Sequence, residues 1–178
     1  MCKKNIELAI KFIAKNAKRN DFIKRSAAVW EDDVTVYATD GYQVLRTLED
    51  VDETLIDKVD KSIMETINRV FDEKLLDDCN VYDCPNISKL ESEIKKLKKE
   101  SKSKNRPMWK VRIGYNVTED SRINAEFLLN AMKCTGATEM YNAGRYAPYL
   151  LMGEDTQYVI LPISNQGNLI AGEINIIH

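Results

Sequence analysis

The stretch 34–48, VTVYATDGYQVLRTL, constrains the fold more than any other part of the chain. Apolar and polar residues alternate on both sides of Asp40 and Gly41, a pattern that predicts two β-strands joined by a tight hairpin turn. A second stretch, 149–163 (YLLMGEDTQYVILPI), has the same form and a strand that stops at Pro162. An amphipathic helical pattern precedes each hairpin. The sequence therefore predicts two helix-plus-sheet units.

The two helical patterns differ in charge. In 5–19, with Asn5 as the predicted N-cap, apolar side chains share one face. The opposite face of this helix carries Lys4, Lys11, Lys15 and Lys18. The second helix, 125–134, begins after a predicted cap at Asn124, and its outward face is far less basic, with Lys133 as its lysine.

Short alternating stretches follow both helices and predict an antiparallel sheet. The expected strands are 26–30, 34–38 and 42–48 after the first helix, 108–117 before the second helix, 138–142, 149–152 and 157–163 after it, and 169–177 at the end. The sequence thus predicts one α+β domain over 1–178, built from two half-units that each contain a helix and an antiparallel sheet.

The segment 50–106 interrupts this pattern with a predicted helical hairpin, inserted within the domain. Apolar residues recur at helical spacing over 53–74, which has an acidic surface, and a capping box from Ser88 to Glu91 opens a basic helix. The lysines of the basic helix have two interpretations. They form a nucleic-acid patch, or they pack antiparallel against the acidic helix, and charge complementarity favours the second.

Composition restricts the chemistry that the chain can perform. Its 178 residues, 44% hydrophobic and 30% charged, are typical of a globular domain with its own core. No apolar run approaches the roughly 20 residues that span a bilayer, and a signal-peptide pattern is missing, so we expect a cytoplasmic protein without membrane contact. The four cysteines lack metal-ligand spacing and the only histidine is His178. We therefore expect no metal, no cofactor and no histidine-dependent nucleophile.

Three segments, taken in order, are similar to the bacterial DNA sliding clamp, the β subunit of DNA polymerase III. ATDGYQV at 38–44 resembles the family's A-T-D-G-[HY]-R-L turn. IGYN at 113–116, followed by NAEFLLNAMK at 124–133, resembles its F-N-x-x-Y-L-x-[DN]-x-L segment. YVILPI at 158–163 resembles its closing Y-V-[VI]-M-P-[MVI] strand. The order of these segments and their distances from the two helices carry the resemblance.

Clamps are not enzymes, and the clamp fold presents helices to duplex DNA and a groove to partner peptides. The resemblance therefore implies a non-enzymatic protein that associates with DNA or with replication and repair proteins. It implies that the DNA-facing side chains are Lys4, Lys11, Lys15, Lys18 and Lys133. It also implies a partner groove lined by Thr39, Gly41, Tyr42, Gln43 and Val44 on one side and by Ile160, Leu161 and Pro162 on the other.

The chain also departs from the clamp family. A clamp subunit has three such domains and closes a ring as a dimer, whereas this chain has room for one domain and needs self-association to encircle DNA. Gln43 stands where the family usually has arginine, which removes a charge that helps to orient partners. The segment 50–106 has no counterpart in clamps. We expect the strand 169–177 to replace the first strand of a clamp half-unit.

Two other functions remain open. The first is a protein–protein interaction module that keeps the clamp fold without encircling DNA and docks partners on 50–106, so that deleting this segment leaves a folded core. The second is a metal-dependent nuclease with carboxylates near Asp32, Asp33 and Asp40. The nuclease is disfavoured because carboxylates at turns are ordinarily solvated.

Overall fold

Three α-helices pack against two β-sheets in the computed structural model, which describes residues 3–18, 29–32, 34–56, 71, 79–103, 112–163 and 170–175. The helices are α1 (Lys3–Ala17), α2 (Ile87–Ser103) and α3 (Ala125–Thr135). The strands are β1 (Val29–Asp32), β2 (Thr35–Thr39), β3 (Gln43–Thr47), β4 (Asn80–Asp83), β5 (Arg112–Asn116), β6 (Arg122–Asn124), β7 (Glu139–Asn142), β8 (Tyr149–Met152), β9 (Thr156–Ile160) and β10 (Ile170–Ile174). The α+β class and the mainly antiparallel sheet are confirmed.

Seven of the described strands form one antiparallel sheet in the order β1-β2-β3-β9-β8-β7-β4. The pair β3–β9 lies near its middle, with Leu45 opposite Tyr158, and both side chains are buried. The hairpins predicted within 34–48 and 149–163 therefore form and pair with each other through their second strands. This pairing brings α1 and α3 together, because each helix packs on the sheet beside its own hairpin.

The smaller described sheet has the order β10-β5-β6. β10 pairs with β5 in parallel, with Ile174 opposite Tyr115, and β5 pairs with β6 antiparallel. The final strand is thus held at a sheet edge and is not detached from it. Its replacement of the first strand of a clamp half-unit stays a prediction.

The ends of α3 follow directly from local sequence. The side chain of Asn124 accepts a hydrogen bond from the Glu126 backbone N–H at 2.9 Å, as expected of an N-cap. Gly136 has φ 68° and donates its N–H to the Met132 carbonyl at 2.9 Å, which closes the helix with a left-handed residue. The predicted cap at Asn124 is therefore confirmed.

α1 covers the sheet with a continuous apolar face. The buried residues of this helix are Ile6, Ala9, Ile10, Ile13 and Ala17. The helix begins at Lys3, so Asn5 lies inside it and the predicted N-cap at Asn5 is wrong. The Asn5 side-chain amide instead donates to the carbonyl oxygen of Lys133 at 3.1 Å and attaches α1 to α3.

The described parts of the inserted segment belong to the common core. β4 pairs with β7 at one edge of the large sheet, within a segment for which the sequence predicts only a helical hairpin. α2 packs on α3 and β10, and its Leu90 and Ile94 are buried in the common core. Removing 50–106 would expose the surfaces that these elements cover. We therefore expect that deletion to unfold the core, contrary to the expectation from the sequence.

The acidic helix predicted over 53–74 does not begin where its periodicity places it. Glu53–Leu55 form a single 3-10 turn, and the Asp52 carboxylate caps it by accepting the Thr54 backbone N–H at 2.9 Å. Ile56 then adopts an extended backbone, so 53–56 do not form a continuous α-helix. Residues 57–70 lie outside the described part of the chain. The packing of the acidic helix against α2 therefore stays a prediction.

Parts of other predicted elements also fall outside the described residues, namely 19, 26–28, 72–74, 104–106, 108–111, 169 and 176–177. In the ranges that the structure covers, every strand predicted from the sequence is present within a few residues of its expected bounds. No helix in these ranges has both the length and the apolar character needed to cross a membrane.

Candidate functional site

The lysine face of α1 is exposed as the helical periodicity predicts. This face consists of Lys4, Lys11, Lys15 and Lys18, all of which are exposed on the side of the helix away from its buried residues. Because the apolar side of α1 is fixed against the sheet, the orientation of these lysines relative to the fold is also fixed. A row of ammonium groups on a rigid helix can bind phosphate oxygens without reading base sequence.

Acidic residues partly offset this charge beside the first half of α1. The Asp50 carboxylate lies 3.3 Å from the Lys3 Nζ, and both side chains are largely exposed. Hydrogen bonds from Thr54 lower the pKa of Asp52, and the charges of Lys11 and Lys3 lower it further. Lys15 lies one turn beyond Lys11 on α1 and continues the lysine face away from Lys3.

Lys133 has a different environment from the lysines of α1. Its Nζ lies 3.0 Å from a carboxylate oxygen of Glu91 on α2, and both side chains are 35% exposed. Hydrogen bonds from Lys95 and Lys133 lower the pKa of Glu91. The charge of Lys133 thus holds α2 against α3, and the structure does not place it in the lysine face of α1.

A second ion pair completes the contact between α2 and α3. Lys98 on α2 donates to the carboxylate of Glu126 on α3, and both side chains are partly buried. The face of α3 that the sequence predicted to point outward is therefore partly covered by α2. At this contact, Lys98 of the basic helix forms its ion pair with Glu126 of α3 and not with a residue of the predicted acidic helix.

The residues predicted to line a partner groove divide into two groups. The structure buries four of them: Thr39, Gln43, Val44 and Ile160. The other four, which are exposed or half-buried, are Gly41, Tyr42, Leu161 and Pro162. The Leu161 backbone N–H donates to the Tyr42 carbonyl at 2.9 Å, so both predicted walls meet where β3 and β9 adjoin. Only the second group is accessible to a docked peptide in this conformation.

A buried polar network lies behind this surface. Asp40 is 2% exposed, and one of its carboxylate oxygens accepts the backbone N–H groups of Tyr42 at 3.0 Å and Gln43 at 3.2 Å. The other oxygen accepts the Gln43 side-chain amide at 2.7 Å, and the Gln43 side-chain Oε1 accepts the Tyr158 hydroxyl at 2.5 Å. Asn16 of α1 also donates to the Asp40 carboxylate. Asp40 is therefore not the solvated turn residue that the sequence pattern indicates.

Burial sets the ionisation of this network. Desolvation raises the pKa of Asp40, while hydrogen bonds from Gln43, Tyr42 and Asn16 oppose that rise. Desolvation also raises the pKa of Tyr158 well above its usual value, so its hydroxyl remains a hydrogen-bond donor. The Gln43 side chain, at the position where clamps have arginine, points into this network and is fully buried.

The arrangement gives no support to the nuclease alternative. The Asp40 carboxylate is enclosed in the network, Asp33 lies outside the described residues, and the side chain of Asp32 is not described. In the part of the chain that the structure covers, no cluster of three or more histidine, cysteine or acidic side chains could hold a metal ion. Burial raises the pKa of the Cys84 and Cys134 thiols to about 12.

Sequence reasoning missed the Asp40 network, although one signal was present. In β3 the alternation places Gln43 on the same side as the buried Leu45. A polar side chain that faces the core needs a hydrogen-bond partner, and the nearest carboxylate in sequence is Asp40.

No family model, curated protein or solved structure matches this chain.

Proposed function

We propose that this chain is a non-enzymatic, clamp-like protein that binds duplex DNA through the exposed lysines of α1. The observation that carries the proposal is the fixed lysine face formed by Lys4, Lys11, Lys15 and Lys18. Its ligand is the phosphate backbone, because lysine ammonium groups recognise phosphate charge rather than base edges. Lys133 is not part of this surface, since it pairs with Glu91.

The order of the strands supports the clamp-like part of the proposal. α1 precedes β1, β2 and β3, while α3 precedes β7, β8 and β9. The two three-stranded meanders meet through β3 and β9, and the two helices contact each other on the sheet. This arrangement of two helices and two meanders supports the proposal of a clamp-like chain, because clamp domains contain two half-units of this kind.

The proposal predicts binding that depends steeply on salt. We would measure fluorescence anisotropy of a labelled duplex of mixed sequence over a series of salt concentrations. If all four lysines contact phosphates, the slope of log affinity against log salt is about −4. The variant K15Q/K18Q removes two of the contacts without removing a neighbour of Asp52, and it should reduce the slope by about 2.

The matched control is R145E, which lowers the net charge by the same amount. Arg145 lies in the loop between β7 and β8, is more than half exposed and lies 3.5 Å from Asp120. We expect R145E to bind the duplex with a wild-type slope. Equal losses in both variants would indicate a general charge effect and would contradict a specific role for α1.

An interaction module is the second candidate function, and one observation favours it. α2 covers the side of α3 that carries Glu126 and Lys133. Of the two helices α1 and α3, only α1 therefore has an exposed charged face that could meet DNA, which is fewer than a clamp domain presents. The exposed Tyr42 and Leu161, which adjoin at the end of the hairpins, would then be the surface for a partner protein. A wild-type chain that fails to bind duplex DNA at low salt would select this function.

A further inference from the structure

α2 has an inner face that belongs to the core and an outer face that does not. Leu90, Ile94 and Ser101 are buried, and at 100° per residue they share one side of the helix. Lys95, Lys99 and Lys102 follow the spacing i, i+4, i+7 and share a different side, where all three are exposed. The inner face therefore fixes the direction of a second row of lysines.

The contacts of α3 show where α2 lies relative to α1. The ring of Phe127 on α3 packs edge-on against Phe12 of α1 at a centroid distance of 6.0 Å. Glu126 and Lys133, which lie about 100° or more around α3 from Phe127, instead contact α2. α1 and α2 thus flank α3 on two sides, and Asn130 of α3 lies between them in helical position.

Only some of the charged side chains of α2 form ion pairs within the described part of the protein. The helix contains six lysines and three glutamates. Glu91 pairs with Lys133 and Lys95, and Glu93 lies 3.6 Å from Lys96. Lys99 and Lys102 form no ion pair with any residue in the described part of the chain. Their charges are therefore available to an external anion.

The charge of the helices contrasts with that of the whole chain. The sequence has a net charge of −2. α1 nevertheless contains four lysines and one glutamate, and α2 adds three more lysines than glutamates. The negative charge must therefore reside in other parts of the chain. Separation of charge in this way attracts a polyanion to one part of a protein surface in spite of an acidic total.

We propose that α2 is a second phosphate-binding helix, and that Lys99 and Lys102 contact the same duplex that α1 binds. This inference rests on the proposed DNA association of α1. α2 then supplies the contacts that α3 cannot supply, because α2 covers α3 along Glu126 and Lys133. The inserted segment thus extends the DNA-binding surface.

The composition of the α2 surface favours a phosphodiester backbone over a lipid surface. Helices that lie on membranes insert large apolar side chains next to their lysines. Ile87, the first residue of α2, is 37% exposed but lies about two turns before Lys95. Within 88–102, which the structure describes completely, the large apolar residues face the core and none is exposed. Ser92, which precedes Lys95 on the same side of α2, is polar and is also exposed.

The test uses the variant K99Q/K102Q in the full chain, with the labelled duplex and salt series described for α1. With Lys99 and Lys102 added to the four lysines of α1, the wild-type slope is about −6, and the loss of these two contacts should return it to about −4. The variant K99R/K102R keeps the charge and should retain the wild-type slope, and R145E controls for net charge. Thermal unfolding of each variant checks the fold, and substitutions of these exposed lysines should leave the melting midpoint close to that of the wild type.

The outcomes separate this inference from the function on which it rests. If K99Q/K102Q keeps the wild-type slope while K15Q/K18Q does not, α2 is not a phosphate-binding helix and the role of α1 stands. If the wild-type chain does not bind the duplex at low salt, the proposed function itself fails. Binding to phosphatidylserine vesicles that falls in K99Q/K102Q, with duplex binding unchanged, would assign the α2 surface to lipid and overturn the inference.

Discussion

Asp40 lies in a hairpin turn, where carboxylates are ordinarily solvated, and yet its side chain is almost fully buried. The hydrogen bonds from Gln43 and Asn16 join the turn to its own strand and to α1. Through Gln43 the network reaches Tyr158 on β9. The side chains of Asp40 and Gln43 therefore connect α1 to β3 and β9, the neighbouring strands near the middle of the large sheet, through polar contacts inside the core.

The raised pKa of Asp40 predicts the sign of a pH effect on stability. Between the unfolded value of 3.8 and the higher value in the fold, the folded chain binds more protons than the unfolded chain. The stability contributed by Asp40 is therefore complete below pH 3.8 and is lost as pH rises through the folded pKa. In this window the loss is at most about 1.4 kcal/mol per pH unit.

The variant Asp40→Asn tests this effect because it removes the titrating group. Urea unfolding of the wild type and the variant, measured at several pH values from about 4 upward, gives the difference in their unfolding free energies. We expect the wild type to lose stability relative to D40N as pH rises. Asp155→Asn, at an exposed position, is the control. A difference that is constant or grows with pH would contradict the assigned sign.

At the scale of elements, α2 and β4 belong to an insertion in sequence and to the core in structure. β4 extends the large sheet beyond β7, while α2 covers α3 and β10. Close packing extends to Gly172 of β10, where an added Cβ would come within 2.7 Å of the Leu97 side chain. We therefore expect α2 to unfold together with the rest of the molecule.

Leu90→Ala tests whether α2 is part of this cooperative unit. Leu90 is fully buried, and truncating such a leucine costs about 2–5 kcal/mol because it removes apolar contacts and leaves a cavity. We expect one unfolding transition, shifted to lower denaturant, when far-UV and fluorescence signals are compared. Ser92→Ala, on the exposed side of the same helix, should change stability by less than about 0.5 kcal/mol. Separate early melting of α2 in the leucine variant would contradict the expectation.

The sequence predicts the elements best where their signals are local. The cap at Asn124 and the hairpins on both sides of the sheet follow from short patterns, and the structure contains them. β4 was missed because a four-residue edge strand with mostly exposed side chains has little alternation of apolar and polar residues. Its partner β7 is more than 50 residues away, so the pairing depends on tertiary contacts rather than on local pattern.

The candidate site was predictable to a smaller extent. Helical periodicity places the α1 lysines on an exposed face without any knowledge of the fold. The burial of Gln43, the pairing of Lys133 with Glu91 and the pairing of Lys98 with Glu126 all depend on which elements meet in space. A resemblance to clamps supplies candidate residues, but the contacts decide which of them remain accessible.

At the scale of the whole molecule, the positive charge of α1 and α2 favours DNA binding, whereas the covering of α3 by α2 disfavours a clamp-like ring. The lysines of α1 and α2 form exposed positive surfaces on both sides of α3, which favours binding of a polyanion. The covering of α3 by α2 leaves fewer helical surfaces for a ring to present to DNA. A single domain can also encircle a duplex only as an oligomer with closed symmetry. Association with DNA and formation of a ring are therefore separate questions.

The most direct test of the central claim is the solution mass, measured by light scattering on a sizing column at low salt with and without duplex DNA. We expect the chain to elute with the duplex at a mass above that of either component, and to separate from it when salt is raised. A closed oligomer on the duplex would add ring formation to the function. A protein peak whose mass is unchanged by the duplex at low salt would contradict the claim that this chain binds DNA.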